Sequence, residues 1–144
     1  MRESDPLESP EPESLKSPHK GQRGVRRIVN AFFYSLSGLA LAFRHESAFR
    51  QEIVLAIVLI PAACFLPASA VERVLLIGSV LLVLIVELLN SSVEAAVDRI
   101  GLDTHHLSKR AKDLGSAAVL LSLGVLLLTW LLLAGPVLLR LVAT

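Results

Sequence analysis

Four polar side chains recur along one segment of the chain that is otherwise apolar: Glu87, Asn90, Glu94 and Asp98. In a helix that turns ~100° per residue, the four lie within an arc of about 80°, so they share one face. A charged side chain at the centre of a bilayer costs roughly 2.5 to 3.5 kcal/mol on insertion scales. A carboxylate in such a position therefore usually faces the protein interior and has a function. The pattern predicts one site along a helix face, and we call these four residues the polar stripe.

Further charged residues flank the apolar segments. Two carboxylates, Glu46 and Glu52, lie just before the first apolar run. The loop after the stripe adds three cations and a carboxylate: Lys109, Arg110, Lys112 and Asp113. Cations neutralise phosphate charge, and Mg²⁺ is usually held by one or two carboxylates together with substrate phosphates. The set indicates Mg²⁺ and a polyphosphate, and because the sequence has no GxxxxGK[ST] motif, a nucleotide would bind without a P-loop.

The composition shows which elements must position these residues. The chain has 144 residues, of which 53% are hydrophobic and only 19% charged, with a mean hydropathy of +0.65. A soluble domain is usually about one quarter charged, so these values favour a membrane protein. A net charge of +1 creates no global field for nucleic acid. One cysteine, Cys64, and four scattered histidines exclude an intrachain disulfide and a zinc site of Cys/His spacing.

The chain divides into a polar tail and a helical membrane domain. Residues 1–22 contain four prolines, four serines and five carboxylates, a composition that predicts a disordered tail. Apolar residues at steps of three and four predict an amphipathic helix over residues 25–45, lying in the headgroup plane or packed on its own protein. Long uncharged runs, including residues 53–71 and 114–139, predict three spans at about 49–66, 70–99 and 111–140.

The distribution of lysine and arginine predicts the orientation. Seven of them lie between residues 16 and 50, and four lie between residues 99 and 112, where the second span ends and the third begins. The other side has only Arg73 and Arg140. The positive-inside rule places the N-terminus and the loop between the second and third spans in the cytoplasm. Glu87 is then about 21 Å along the helix from Arg73, near the cytoplasmic boundary of a ~30 Å core, with Glu94 at that boundary. This depth suits Glu87 for a lipid head and Glu94 for solutes and metal.

Several other interpretations of these residues stay open. Asn90 and Ser91 could join helices by hydrogen bonds, and the carboxylates could line an ion path. Lys109 and Arg110 could act only as topology signals. A small transporter or a scaffold subunit is therefore an alternative to an enzyme, although neither needs the cationic loop together with Glu46.

Three stretches of the chain resemble the small integral-membrane diacylglycerol kinases of bacteria: ESAFRQE (46–52), VELLNSSVEAAVDRI (86–100) and RAKDLGSAAVL (110–120). The likeness extends from about residue 26 to residue 130. It implies an all-α membrane domain over residues 23–144, built from an N-terminal surface helix and three transmembrane helices and assembled as a homotrimer. It also implies phosphorylation of diacylglycerol to phosphatidic acid at the cytoplasmic face, with ATP as co-substrate. Undecaprenol kinases share the VELLN-type helix and are therefore the alternative. They generally lack AFRQE, so its presence at residues 48–52 favours diacylglycerol.

The resemblance also implies roles for individual residues. Glu87 would be the catalytic proton acceptor, and Glu46 and Glu94 would hold Mg²⁺ with ATP. The further ATP contacts would be Arg27, Tyr34, Asp103, Thr104, His105, Lys112 and Asp113. Contacts with the lipid substrate would come from Arg27, Ser35, Arg50, Glu87, Asn90 and Ser116. Familiar members differ from this chain at Asn30, Leu36 and Ser37, and they carry Glu-Tyr-His at residues 103–105.

Overall fold

In a computed structural model, residues 24–100 and 105–142 are described, and they form four helices. These are α1 (Val25–His45), α2 (Ser47–Phe65), α3 (Ala70–Ile100) and α4 (His106–Val142). The predicted tail, residues 1–22, and residues 101–104 lie outside the described residues. The described residues divide between two compact units, with the boundary after Gly38, inside α1. The predicted all-helical class is confirmed.

Three of the helices are long and apolar enough to cross a membrane. The qualifying stretches are Ser47–Phe65, Ala70–Arg99 and His106–Val137. Packing within the chain buries only 22%, 33% and 17% of the most apolar window of each. Most of their apolar side chains are therefore left for lipid or for another subunit, which is the pattern of a multi-pass membrane protein and not of a soluble helix bundle.

The turn between α2 and α3 is short and closed by local hydrogen bonds. Ser69 and Glu72 form a reciprocal N-terminal cap, in which the Ser69 amide donates to Glu72 Oε2 at 2.7 Å and the Glu72 amide donates to Ser69 Oγ at 3.3 Å. Arg73 Nε donates to the carbonyl of Ala63 at 3.3 Å, near the end of α2. These contacts satisfy backbone groups that the two helix ends would otherwise leave unpaired.

Two apolar clusters hold α2, α3 and α4 together in the second unit. Near the α2–α3 turn, Ala63, Leu76 and Ala134 are buried together. The second cluster, about one helical turn further along α3, is formed by Ala56, Val80, Val83 and Leu126. Trp130 packs against both clusters, and its indole Nε1 donates to the carbonyl of Leu76 at 3.3 Å. The packing fixes which faces of the three helices meet, and the polar stripe of α3 begins directly beyond the second cluster.

Candidate active site at the polar end of the second unit

The turn between α1 and α2 presents Glu46 at the start of α2. Glu46 has an extended backbone (φ −101°, ψ 115°), and its amide donates to the carbonyl of Ala42 at 2.8 Å. Its carboxylate does not cap the helix. Arg50 closes the turn instead, because its Nη1 donates to the carbonyls of Phe43 at 3.3 Å and Arg44 at 3.1 Å. The exposed guanidinium thus satisfies the last carbonyls of α1, which leaves the Glu46 carboxylate for other partners.

Carboxylates from α2 and α3 converge around Glu87. Glu87 is only 4% exposed, and the charges of Glu94 and Glu46 both act on it. Glu52 lies on the facing side of α2, is 9% exposed and interacts electrostatically with Glu87. Its Oε2 atom is buried with no hydrogen-bond partner among the described residues. Since like charges repel one another, a proton or a cation would relieve the repulsion within this cluster.

Asn90 links this cluster to the start of α4. Its Nδ2 donates to Glu94 Oε1 at 3.0 Å, one helical turn further along α3. Its Oδ1 is buried, has no hydrogen-bond partner among the described residues and lies against Gly115 of α4. The amide therefore orients the Glu94 carboxylate and also contacts the neighbouring helix.

Two ion pairs lie in the first turns of α4, and one of them reaches Asp98 of α3. Lys112 Nζ lies 2.6 Å from Asp98 Oδ1 and joins α4 to α3, with side chains 38% and 51% exposed. Lys109 Nζ lies 2.6 Å from Asp113 Oδ2 within α4, with both partners more exposed. Lys112 also interacts electrostatically with Glu94. These partly solvated pairs contribute little to stability, so an incoming phosphate group can compete for the two ammonium groups.

The remaining predicted site residues are distributed as follows. Arg27, Tyr34 and Ser35 belong to the first unit, where all three are exposed and Ser35 Oγ donates to the carbonyl of Ala31 at 2.9 Å. His105 precedes α4, and its Nδ1 accepts the Leu107 amide at 3.3 Å. Ser116 is exposed on α4. Asp103 and Thr104 lie outside the described residues.

Two residues that lie next to Glu87 and Asn90 in the structure, Glu52 and Gly115, have no individual role in the sequence-based prediction. The sequence shows Glu52 only as one of two carboxylates just before the first apolar run. Its spacing could have indicated that it is buried, because Glu52 lies two helical turns before Leu59 and Ile60 and so shares their face of α2. That face packs against the apolar core. Nothing in the sequence indicates the contact at Gly115, because a single glycine in an apolar helix occurs both with and without another side chain packed against it.

The carboxylates of the cluster are the possible ligands for Mg²⁺. Within the described ranges, no three His, Cys, Asp or Glu side chains are arranged to hold a metal ion by themselves. The charges of Glu46 and Glu94 nevertheless both act on the same carboxylate, Glu87. Mg²⁺ is usually bound by one or two carboxylates with substrate phosphates completing its octahedral shell. The residues present fit a metal ion that arrives with a polyphosphate.

These features define a class: a small polytopic α-helical membrane protein with a buried acidic site at one end of its spans. Comparison with known proteins then identifies the family, because residues 33–134 match the family described as prokaryotic diacylglycerol kinase. The chain belongs to this family.

Several named relatives align over most of their length. A diacylglycerol kinase of Pseudomonas aeruginosa is 57% identical over 114 residues, which cover 79% of this chain and 93% of the relative. A diacylglycerol kinase of Escherichia coli K12 is 54% identical over 110 residues, or 76% of this chain and 90% of the relative. A diacylglycerol kinase of Haemophilus influenzae is 50% identical over 107 residues, or 74% and 91%. The family match at residues 33–134 includes all of α2 and α3 and most of α4, and with them Glu87, Asn90 and Glu94.

Proposed function

We propose that this protein transfers the terminal phosphoryl group of ATP to the free hydroxyl of diacylglycerol, with Glu87 as the proton acceptor. The observation that carries the proposal is the position of Glu87, which is 4% exposed among other carboxylates in a chain that belongs to the prokaryotic diacylglycerol kinase family. The product is phosphatidic acid, an anionic lipid that can diffuse laterally in the membrane. The undecaprenol alternative is not favoured, because the named relatives at 44% to 57% identity are diacylglycerol kinases.

Glu87 carries out the proton transfer. The lipid hydroxyl loses its proton to the Glu87 carboxylate while its oxygen forms a bond to the terminal phosphorus of ATP. The bond between that phosphorus and the bridging oxygen breaks, and ADP leaves with the bonding pair. A positioned general base of this kind contributes ~10²- to 10⁴-fold to the rate.

Glu46 and Glu94 hold the magnesium ion that accompanies ATP. When bound, Mg²⁺ neutralises the charge that develops on the phosphate oxygens. The support for this assignment is that both carboxylates act on Glu87, and that the Glu46 side chain takes no part in capping α2. The Asn90 amide orients Glu94 through the 3.0 Å hydrogen bond.

The cations of α4 bind the phosphate groups. Lys112 connects the stripe to α4 through Asp98, and its ammonium group has three donors, so it can contact a phosphate oxygen while it remains near Asp98. Asp113, bound to Lys109, lies on the same turn. Further ATP contacts are assigned to Arg27, Tyr34, Asp103, Thr104 and His105, and further lipid contacts to Arg27, Ser35, Arg50, Asn90 and Ser116.

The protein acts in the inner membrane with its N-terminus in the cytoplasm, and it assembles as a homotrimer. The lysine and arginine distribution supports the orientation, since the site then faces cytoplasmic ATP. The low burial of the three spans, 17% to 33%, supports association, because much apolar surface is left for neighbouring subunits as well as lipid.

The test is transfer of phosphate from labelled ATP to lipids in mixed micelles, with diacylglycerol and undecaprenol supplied separately. We expect labelled phosphatidic acid and little labelled undecaprenyl phosphate. Equal or faster labelling of undecaprenol would overturn the substrate assignment, and labelling of neither lipid by a folded protein would overturn the activity.

A further inference from the structure

Gly115 is the described glycine whose missing side chain makes room for a residue of the site. A Cβ atom built on Gly115 would overlap Oδ1 of Asn90 and would lie 3.3 Å from its Cγ and 3.8 Å from its Cβ. The same construction meets nothing within 4 Å at the other glycines of the described helices and their start: Gly24, Gly38, Gly78, Gly124 and Gly135. The close approach is therefore particular to Gly115 and Asn90.

The Asn90 side chain is held from two directions. Its Nδ2 donates to Glu94 Oε1 at 3.0 Å, and its buried Oδ1 points at the backbone of α4 beside Gly115. A side chain on Gly115 would occupy the space of Oδ1, which is the end of a flexible side chain and can move away. Asn90 would have to rotate, and rotation would break its hydrogen bond to Glu94.

Helix stability does not explain a glycine at this position. Glycine is among the poorest helix formers and alanine is the best, so an apolar helix gains from alanine wherever there is space. The contact with Asn90 is the feature that excludes alanine here. Small residues commonly let membrane helices approach closely, but at Gly115 the approaching group is a polar side chain that orients a carboxylate of the site.

We infer that Gly115 is a positioning residue, which by lacking a side chain keeps Asn90 where its amide orients Glu94 for metal binding. The inference rests on the proposed function only through the metal role of Glu94. The contact between Gly115 and Asn90, and its effect on stability, do not depend on that role.

The first experiment measures this contact without metal or substrate. Thermal unfolding of the detergent-solubilised full-length protein is compared for Gly115→Ala in the native and Asn90→Ala backgrounds, with Gly124→Ala as the matched control on the same helix. We expect Gly115→Ala to lower the melting temperature in the native background and to raise it in the Asn90→Ala background, where the space is empty. Gly124→Ala should have the same effect in both backgrounds. If Gly115→Ala has the same effect in both, the glycine only packs the helices and the inference is wrong.

The second experiment measures the Mg²⁺ concentration that gives the half-maximal rate. Partners that orient a metal ligand typically change metal affinity or activity by 10- to 100-fold when they are lost. We therefore expect Gly115→Ala to raise this concentration by about tenfold, and Gly124→Ala to leave it unchanged. A change of less than about twofold in Gly115→Ala would overturn the inference, provided that Glu94→Gln raises the requirement.

The two proposals can fail separately. If Glu94→Gln leaves the Mg²⁺ requirement unchanged, the metal role in the proposed function is wrong, whatever Gly115→Ala does. If Glu94→Gln raises the requirement but Gly115→Ala does not, only the positioning role is wrong. If Gly115→Ala does not fold, the Asn90→Ala/Gly115→Ala double variant must still fold, because its clash is removed, and its failure to fold would also overturn the inference.

Discussion

Replacing Glu87 with glutamine separates proton transfer from binding. Glutamine has nearly the same shape as glutamate and can donate and accept hydrogen bonds, but it cannot take up a proton at neutral pH. Glu87 is 4% exposed and is acted on by the charges of Glu46 and Glu94. Removing its charge removes like-charge repulsion from a buried cluster, so we expect Glu87→Gln to fold with an unchanged or higher melting temperature.

The size of the effect follows from the role of a general base. Loss of the base should lower the maximal rate by ~10²- to 10⁴-fold, which corresponds to about 2.7 to 5.4 kcal/mol of transition-state stabilisation. The half-saturating concentrations of ATP and diacylglycerol should stay within a few-fold of the native values. A fall in kcat without a change in KM is the signature of an interaction that exists only in the transition state.

The assay is phosphate transfer to diacylglycerol in mixed micelles, with ATP and lipid varied in turn. Glu72→Gln is the matched control, since it makes the same change at the opposite end of α3, where a glutamine oxygen can still accept the Ser69 amide. Its rate should be within about twofold of the native rate. A folded Glu87→Gln protein that kept more than about a tenth of the native rate would refute the role of Glu87 as the base. Loss of subunit assembly with the rate retained would make Glu87 a helix-joining residue.

Three further predictions concern the metal site, the orientation and the core. Glu46→Gln and Glu94→Gln should each raise the Mg²⁺ concentration for half-maximal rate in a metal titration, because each removes a charged oxygen ligand; a lower rate with unchanged metal dependence would contradict this. With Cys64→Ala as background, a cysteine at Ala143 should react with an impermeant reagent only from outside the membrane; labelling from the cytoplasm would reverse the orientation. Trp130→Phe should destabilise the protein by about 1 to 2 kcal/mol in thermal unfolding, because it removes an indole hydrogen bond and core volume; an unchanged melting temperature would contradict this.

The amino-acid sequence by itself was sufficient to predict the helices and the family, and it was the source of the proposed site chemistry. Long uncharged runs predict spans because backbone groups in a bilayer must be satisfied within a helix. The structure confirms three such helices and a fourth at Val25–His45. The spacing along α3 places Glu87, Asn90 and Glu94 on one face, since residues three, four and seven positions apart lie on the same side of any α-helix. The three quoted motifs were enough to identify the family, which the comparisons confirm.

Only the tertiary structure decided which side chains of different helices meet. Periodicity reports which residues share a face within one helix, but it does not report which faces of separate helices touch. The apolar part of α4 has no polar stripe to orient it, so nothing in its sequence indicates that Gly115 lies against Asn90, or that Lys112 pairs with Asp98. Those contacts follow from the packing of the two apolar clusters around α3, because that packing sets the rotation of each helix about its own axis.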